Sequence, residues 1–285
     1  MKVPLKKLGA VASVTAILTV GALALNPRLP ALASAQTITY HADGSANDVS
    51  GLHPGTWIGC VQGYQAGHTG ADGDSSFAFM PFPCLPNSYV ETDIEVGTFG
   101  TDPATIDFWF RGNSGSAGQM NGVLGARAYC DNPPEGWWDI RVGTSPVANN
   151  PPGTIIVEFG GSSYLNVIGQ TNVMDGEWHH ILVNRSDTGV SINVDGAPDG
   201  AASGPASPIN PSVPMTIGRS ACEDIDGTQH PWASNIDEIN ITRGNPGIGP
   251  PTGKNQCKNN GWSTFNVPRS FKNQGDCIQF VNTGK

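Results

Sequence analysis

The chain has 285 residues and a formal net charge of −9, with 15 Lys and Arg against 24 Asp and Glu. Residues 36–252 hold 6 Arg and no Lys against 23 acidic residues, a net charge of −17, whereas residues 253–285 carry a net charge of +4. An acidic body disfavours nucleic-acid binding, because the nucleic-acid backbone is itself densely negative. It suits cation binding or simple solubility.

The first residues have the pattern of an export signal. Lys2, Lys6 and Lys7 precede an apolar segment at residues 8–25, and Ala33-Ser34-Ala35 forms a small-residue cleavage site. Beyond it, no stretch approaches the roughly 20 apolar residues of a membrane span. We therefore expect residues 1–35 to be a signal peptide, and the mature chain to start near Gln36 as a secreted protein.

The composition favours an all-β fold. The 37 Gly and 23 Pro separate many short apolar runs, and no stretch shows sustained helical periodicity. The clearest element is a β-hairpin: residues 178–185 are rich in strand formers, residues 187–189 form a turn, and apolar residues alternate with polar ones over residues 190–195. The first strand is apolar on both faces, which predicts a central strand covered on both sides.

Residues 175–185 and 190–196 together resemble the signature hairpin of the laminin-G-like, concanavalin A-like jelly roll, a D-G-x-W-H-H strand followed by a strand that ends in V-D-G. Residues 104–111, 213–219 and 234–243 resemble three further strands of that family in the family's order, and the resemblance covers residues 77–243. It implies a two-sheet antiparallel jelly-roll sandwich.

Composition divides the exported chain into three parts. Residues 36–243 form the sandwich domain, residues 244–253 a Pro/Gly linker, and residues 254–285 a small module that resembles a short cysteine-containing tail of exported bacterial proteins. About thirty residues are too few for a sufficient core. We expect one disulfide and four aromatic residues to hold this module together: Trp262, Phe265, Phe271 and Phe280.

Six cysteines in an exported chain predict three disulfides, for which the sequence alone permits 15 pairings. Cys60 and Cys84 bracket a loop rich in Gly and Asp, so we expect them to close it. The family resemblance implies a bridge between Cys130 and Cys222 across two rim loops, which leaves Cys257 for Cys277. The spacing contains no C-x-x-C pair for a metal thiolate site.

Motifs for catalysis are missing from the sequence. His179 and His180 are neighbours on a strand, so their rings point to opposite faces and are predicted to be structural. Asp237 and Glu238 are neighbours too, whereas a glycosidase needs two facing carboxyl groups about 5 to 9 Å apart. There is no nucleophile elbow, H-E-x-x-H pair or phosphate loop either. We therefore expect a protein that is not an enzyme.

The two rim loops beside the expected Cys130–Cys222 bridge are the candidate binding surface. Aromatic rings beside planar hydrogen-bonding groups suit sugar rings or peptide side chains. Because Trp137 and Trp138 alternate in direction, we expect at most one of them to be presented. The candidates are Arg127, Tyr129, Asp131, Glu135, Trp137, Trp138, Glu223, His230 and Trp232.

Asp224 and Asp226, followed by Gly227, could form part of a calcium loop; an ordinary Asx-rich turn is the alternative. We thus expect an exported, non-catalytic binding or adhesion module for carbohydrate, or for envelope and matrix surfaces, with or without calcium. The alternatives are a polysaccharide hydrolase or lyase of concanavalin A-like fold and a purely structural domain.

Overall fold

The computed structural model describes residues 36–59, 63–79, 88–113, 121–130, 134–143, 151–219, 234–244, 253–258, 262 and 271–284. Its main feature is a pair of antiparallel sheets whose inward-facing side chains form one core. The strands are β1 Gln36–Tyr40, β2 Thr56–Ile58, β3 Tyr64–Ala66, β4 Ser75–Phe79, β5 Tyr89–Glu91, β6 Ala104–Gly112, β7 Asn121–Ala126, β8 Trp137–Val142, β9 Ile155–Gly160, β10 Leu165–Ile168, β11 His179–Arg185, β12 Gly189–Val194, β13 Ala197–Ser203, β14 Thr216–Ile217 and β15 Ser234–Arg243.

The large sheet has eight strands in the order β13-β12-β11-β6-β15-β4-β3, and β1 pairs with β15 beside β4. The second sheet has seven strands in the order β10-β9-β8-β7-β14-β5-β2. The predicted all-β, two-sheet sandwich is confirmed. So are the predicted strands at residues 104–111 and 234–243, which correspond to β6 and β15.

Period-two alternation places the core of the large sheet. In β6, Ile106, Phe108 and Phe110 are buried, whereas the residues between them are half-exposed. β11 and β12 alternate in the same way. The predicted hairpin of β11 and β12 is confirmed, but the expectation that β11 is covered on both sides is wrong. Its outward side chains His180, Leu182 and Asn184 are half-exposed, because none of the described residues forms a layer over that face of the sheet.

We call this outward surface of β12, β11, β6, β15 and β1 the open face. The strands are in register, so that outward residues form rows that run across the sheet. The first row is Ser191, Asn184, Thr105, Thr242 and Thr37. The second row is Asn193, Leu182, Asp107, Asn240 and Thr39. In the third row, His180 lies opposite Trp109, and Trp109 lies opposite Asp237.

The C-terminal residues contain a short 3-10 turn, Lys254–Cys257, and a helix, α1, Gln274–Thr283. The helix was not expected from the sequence; the side chain of Asn273 caps it by accepting a hydrogen bond from the Asp276 N–H at 3.0 Å. The predicted Cys257–Cys277 disulfide is present. The two cysteines and Phe271 are buried, with Trp262 and Phe280 packed against them, while Phe265 lies outside the described residues.

Among the described residues, no helix is both long and apolar enough to cross a membrane.

Candidate functional site

The third row of the open face is a stack of aromatic rings. Trp109 lies between two imidazoles: the ring of His68 stacks on it with centroids 4.5 Å apart and planes 15° apart, and the ring of His180 lies at 5.1 Å and 39°. His68 comes from the loop between β3 and β4. Trp178, just before β11, meets His68 edge-on at 6.4 Å. Four half-exposed rings thus form one continuous aromatic row.

The guanidinium of Arg111 lies 4.8 Å from the centre of the Trp178 ring, a cation–π distance. Its Nη2 also donates to Asn235 Oδ1 at 3.1 Å, which fixes the group beside the ring. Within the described part of the chain, the indole N–H groups of Trp109 and Trp178 have no hydrogen-bond acceptor. The row therefore offers ring surface and hydrogen-bond donors together.

Two carboxylates hold the imidazoles in place. His180 Nε2 donates to Asp107 Oδ1 at 2.9 Å. Both the backbone N–H and the Nδ1–H of His68 donate to Asp237 Oδ2 at 2.9 Å, and Asp237 is fully buried. Gly67 lets the Asp74 side chain pack against this loop, because a Cβ there would lie 2.2 Å from Asp74 Oδ1. The rings are therefore fixed before any ligand arrives.

The β15 strand is irregular at this point. Its register shifts between Asp237 and Asn240, and Glu238 has φ 49°, a left-handed conformation that is strained for Glu. The bulge lets Asp237 face His68 while Glu238 bonds to His41 Nδ1 at 2.7 Å. The two acids serve different imidazoles, which agrees with the expectation that they do not form a facing catalytic pair.

His68, Asp74 and Asp237 have potential metal-ligand atoms within 4.8 Å of one another. These atoms already have hydrogen-bond partners, since Asp74 Oδ2 accepts from the Thr69 N–H at 2.8 Å and from the Thr69 hydroxyl. Partial burial works against ionisation of Asp74, but the bonds from Thr69 outweigh it and lower its pKa. A metal ion here would have to displace these bonds.

His179 lies on the other face of β11 and has the structural role that its sequence position predicts. Its Nδ1 is 2.8 Å from Asp195 Oδ2 and its Nε2 is 3.1 Å from Asp175 Oδ1. Carboxylates at both ring nitrogens require both to be protonated. Burial opposes the charge, but the two carboxylates outweigh it and raise the pKa of His179. His180 was also expected to be structural; it lies in the aromatic row and bonds to Asp107, and its role stays a prediction.

The rim candidates that the structure describes are mostly buried. Trp137 and Trp138 are 1% and 0% exposed, so neither presents a ring face, and the expectation that one of them could do so is corrected. Trp138 fills the core and donates to Gly97 O at 2.9 Å. Trp137 faces outward but is covered, with the Arg127 guanidinium 3.6 Å from its ring centre. Tyr129 is half-exposed at 50%.

Beneath the rim, the outer face of the second sheet holds a buried charge network. Arg127 lies 3.1 Å from Glu158 and 3.6 Å from Asp139, and Arg141 lies 3.2 Å from Asp139 and also pairs with Glu158. The Tyr164 hydroxyl donates to Glu158; burial, and then this carboxylate, raise the pKa of Tyr164 well above its usual range. Asp139 and Glu158 face each other across β8 and β9.

Both carboxylates of this network are paired with arginine side chains. A glycosidase uses one carboxyl group to protonate the leaving group and a second one to act on the other side of the sugar ring. In this structure Asp139 and Glu158 are each bound by Arg127 and Arg141. Sequence reasoning missed the pair because Asp139 and Glu158 lie on different strands. Their pairing depends on the register of β8 with β9.

The remaining rim candidates lie outside the described residues: Asp131, Glu223, Asp224, Asp226, His230 and Trp232. Glu135 is described and accepts from the Ser212 hydroxyl at 2.9 Å. Cys130 is disulfide-bonded, but Cys60, Cys84 and Cys222 lie outside the described part, so the two other pairings stay predictions. The rim site and the calcium loop also stay predictions.

The fold and the site together define a β-sandwich whose open face is accessible to solvent and carries a row of aromatic rings. Residues 86–244 match the sequence model of the laminin G type in the concanavalin A-like lectin/glucanases superfamily. The chain belongs to this family, as its hairpin motif predicts. No functionally curated protein matches the chain.

Several solved structures share the fold. One is domain 4 of AbnA, an extracellular GH43 arabinanase from Geobacillus stearothermophilus, which was solved in complex with arabinotriose. Its sequence is 15% identical to this chain, and the structures match with a TM-score of 0.53. The match covers 74% of this chain and 94% of the AbnA domain. The binding domain of Paraclostridial Mosquitocidal Protein 1 is 12% identical, with a TM-score of 0.53 over 73% of this chain. A botulinum neurotoxin type C structure, whose cell entry depends on two ganglioside molecules, is 12% identical with a TM-score of 0.53 over 74% of this chain.

This chain spans about half of the two toxin chains, at 48% each. At these identities the likeness shows the fold alone.

Proposed function

We propose that the protein is a secreted, non-catalytic carbohydrate-binding module that binds glycan on the open face. The observation that carries the proposal is the aromatic row beside two rows of amide and hydroxyl side chains. A sugar ring has an apolar C–H surface that packs on aromatic groups and hydroxyls that pair with planar polar groups, and this face offers both within one sheet.

Pre-organisation supports binding at this face. Asp107 and Asp237 fix the imidazoles, and Arg111 is fixed by Asn235. These side chains lose little conformational entropy when a ligand arrives, which leaves more of the contact energy for affinity. Similar folds solved with arabinotriose or associated with gangliosides add support from chemistry of the same class.

A non-catalytic role is supported by the state of the carboxylates. Among the described residues of the open face, Asp237 is fully buried and bonded to His68, and Glu238 is paired with His41, so both carboxylates near Asp107 already have partners. The Asp139–Glu158 pair of the second sheet is bound by two arginines. Secretion is supported by the signal-peptide pattern of residues 1–35.

The test compares two aromatic residues on different surfaces. A glycan array that includes arabinan, xylan, mannan, β-glucan and gangliosides identifies a ligand, and isothermal titration then measures Trp178→Ala and Tyr129→Ala. Trp178→Ala should weaken binding by about 1 to 3 kcal/mol, the range for losing an aromatic anchor. Tyr129→Ala is the control, since its half-exposed ring lies on the rim and its carbonyl oxygen accepts from Arg127, a bond that the substitution keeps.

Both variants must retain the wild-type circular dichroism spectrum. Loss of affinity in Tyr129→Ala alone would move the site to the rim, and no binding by the wild-type protein across the array would refute the proposal. Release of reducing sugar from any of these polysaccharides would favour the enzyme alternative.

A further inference from the structure

We infer that the open face binds an internal stretch of a neutral polysaccharide that lies across the strands, rather than a single sugar or a charged glycan. This inference rests on the proposed function and names the ligand class for the same site. It comes from the length of the two polar rows, from their side-chain chemistry and from the charge of the body.

The rows are long compared with one sugar ring. Each crosses five strands, β12, β11, β6, β15 and β1, in continuous register. With neighbouring strands about 4.8 Å apart, four gaps give a row of about 19 Å. All ten positions are half-exposed or exposed, so the whole length is accessible. A single sugar would cover only a part of it.

The side chains match hydroxyl groups rather than ions. Among the ten positions Asp107 is the one ionisable group, and Leu182 is the one apolar group; the others are Asn, Ser and Thr. Amides and hydroxyls both donate and accept hydrogen bonds, as sugar hydroxyls do. Several are already oriented by their neighbours: Thr39 donates to Asn240 at 2.7 Å and Thr105 donates to Asn184 at 3.2 Å.

The aromatic row sets the direction in which a chain would lie. It runs parallel to the polar rows and borders them on one side, where the loop that carries His68 folds over Asp237. A linear glycan that lies along the rows can contact rings at its edge and polar groups along its length. A glycan parallel to the strands would cross the two polar rows within about 7 Å, the spacing of alternate residues on a strand, and would contact few of their side chains.

Electrostatics excludes a polyanion as the preferred ligand. Residues 36–252 carry a net charge of −17, and among the described outward residues of the open face the two acids Asp107 and Glu238 outnumber the single arginine, Arg111. Repulsion of a polyuronate or a sulfated chain would lower its association rate and affinity. A neutral chain meets no such repulsion.

The test uses the neutral polysaccharide selected by the array and its oligosaccharides from one to six sugars, with polygalacturonate and heparin as anionic probes. Isothermal titration should show affinity that rises with chain length over several sugars and then levels off. Asn193→Ala, at the end of the second row, should weaken hexasaccharide binding about 2- to 10-fold, the equivalent of one hydrogen bond, and leave the trisaccharide unaffected. The control is Asn166→Ala, the same change at an exposed position of β10 in the second sheet.

The outcomes separate the two proposals. Rising affinity with length, together with an effect of Asn193→Ala but not of Asn166→Ala, supports the inference. Equal affinity for one sugar and six, a preference for polygalacturonate or heparin, or unchanged hexasaccharide binding by folded Asn193→Ala would overturn it while Trp178→Ala still identifies the face. If no glycan binds the wild-type protein, the proposed function itself fails.

Discussion

Replacing His179 with Gln tests how the signature hairpin is held. The imidazolium joins Asp195, in the turn after β12, to Asp175, in the turn before β11. Glutamine is neutral and can reach only one of the two carboxylates. Because Asp175 and Asp195 are 44% and 50% exposed, solvent screens both pairs, and we discount each to about 0.5 to 1 kcal/mol. We expect a loss of about 1 to 2 kcal/mol, or about 2 to 8 °C in Tm for a domain of this size.

The pH dependence of this loss is the sharper measurement. The pKa of His179 is raised in the folded state, so its contribution is complete below the unfolded value of about 6.5 and disappears as pH rises through the folded pKa. The difference in Tm between wild type and His179→Gln should therefore be larger at pH 6 than at pH 9. His41→Gln is the matched control, since His41 is 44% exposed and has one carboxylate partner, Glu238. A difference for His179→Gln that is the same at both pH values would refute the imidazolium bridge.

Three further predictions concern the buried charges and the disulfides. Glu158→Gln should lower the free energy of unfolding, measured in urea, by about 3 to 5 kcal/mol. The reason is that Arg127 and Arg141, both nearly buried, would be left with Asp139 as their shared carboxylate partner. A loss under about 1 kcal/mol would contradict a structural role for the network. Replacing Cys257 and Cys277 by Ser should make residues 254–285 sensitive to protease while the Tm of the sandwich stays the same, since a bridge with a sequence separation of 20 contributes roughly 3 kcal/mol. Non-reducing peptide mapping should recover Cys60–Cys84 and Cys130–Cys222, and a Cys84–Cys130 peptide would disprove the rim bridge.

The strands of the large sheet were predictable because their alternation is local. In β6 and β12, apolar residues recur at every second position, and one face of each strand is buried. Alternation also places Trp178 and His180 on one side of β11. It cannot tell whether that side is covered, because a covering layer would come from distant parts of the chain. The expectation of a doubly covered β11 failed for this reason.

The aromatic row depends on contacts that no local pattern encodes. His68 reaches Trp109 through a loop conformation, and its anchor Asp237 is 169 residues away in sequence. Glu238 adopts a left-handed conformation that favours Gly, so its sequence gives no signal of the bulge. The burial of Trp137 has a similar cause, since Arg127 and Tyr164 contact its ring from segments that are distant in sequence or follow another strand.

The two sheets therefore use their outer faces differently. On the second sheet, outward residues such as Asp139 and Arg141 are buried and neutralise one another, so they stabilise the fold and offer little to a ligand. On the large sheet, outward residues are half-exposed and mostly uncharged, and Asp107 orients His180 by a hydrogen bond. A sandwich fold alone does not decide its function. The contrast between a covered charged face and an open neutral one is what directs the search for a ligand to β12, β11, β6, β15 and β1.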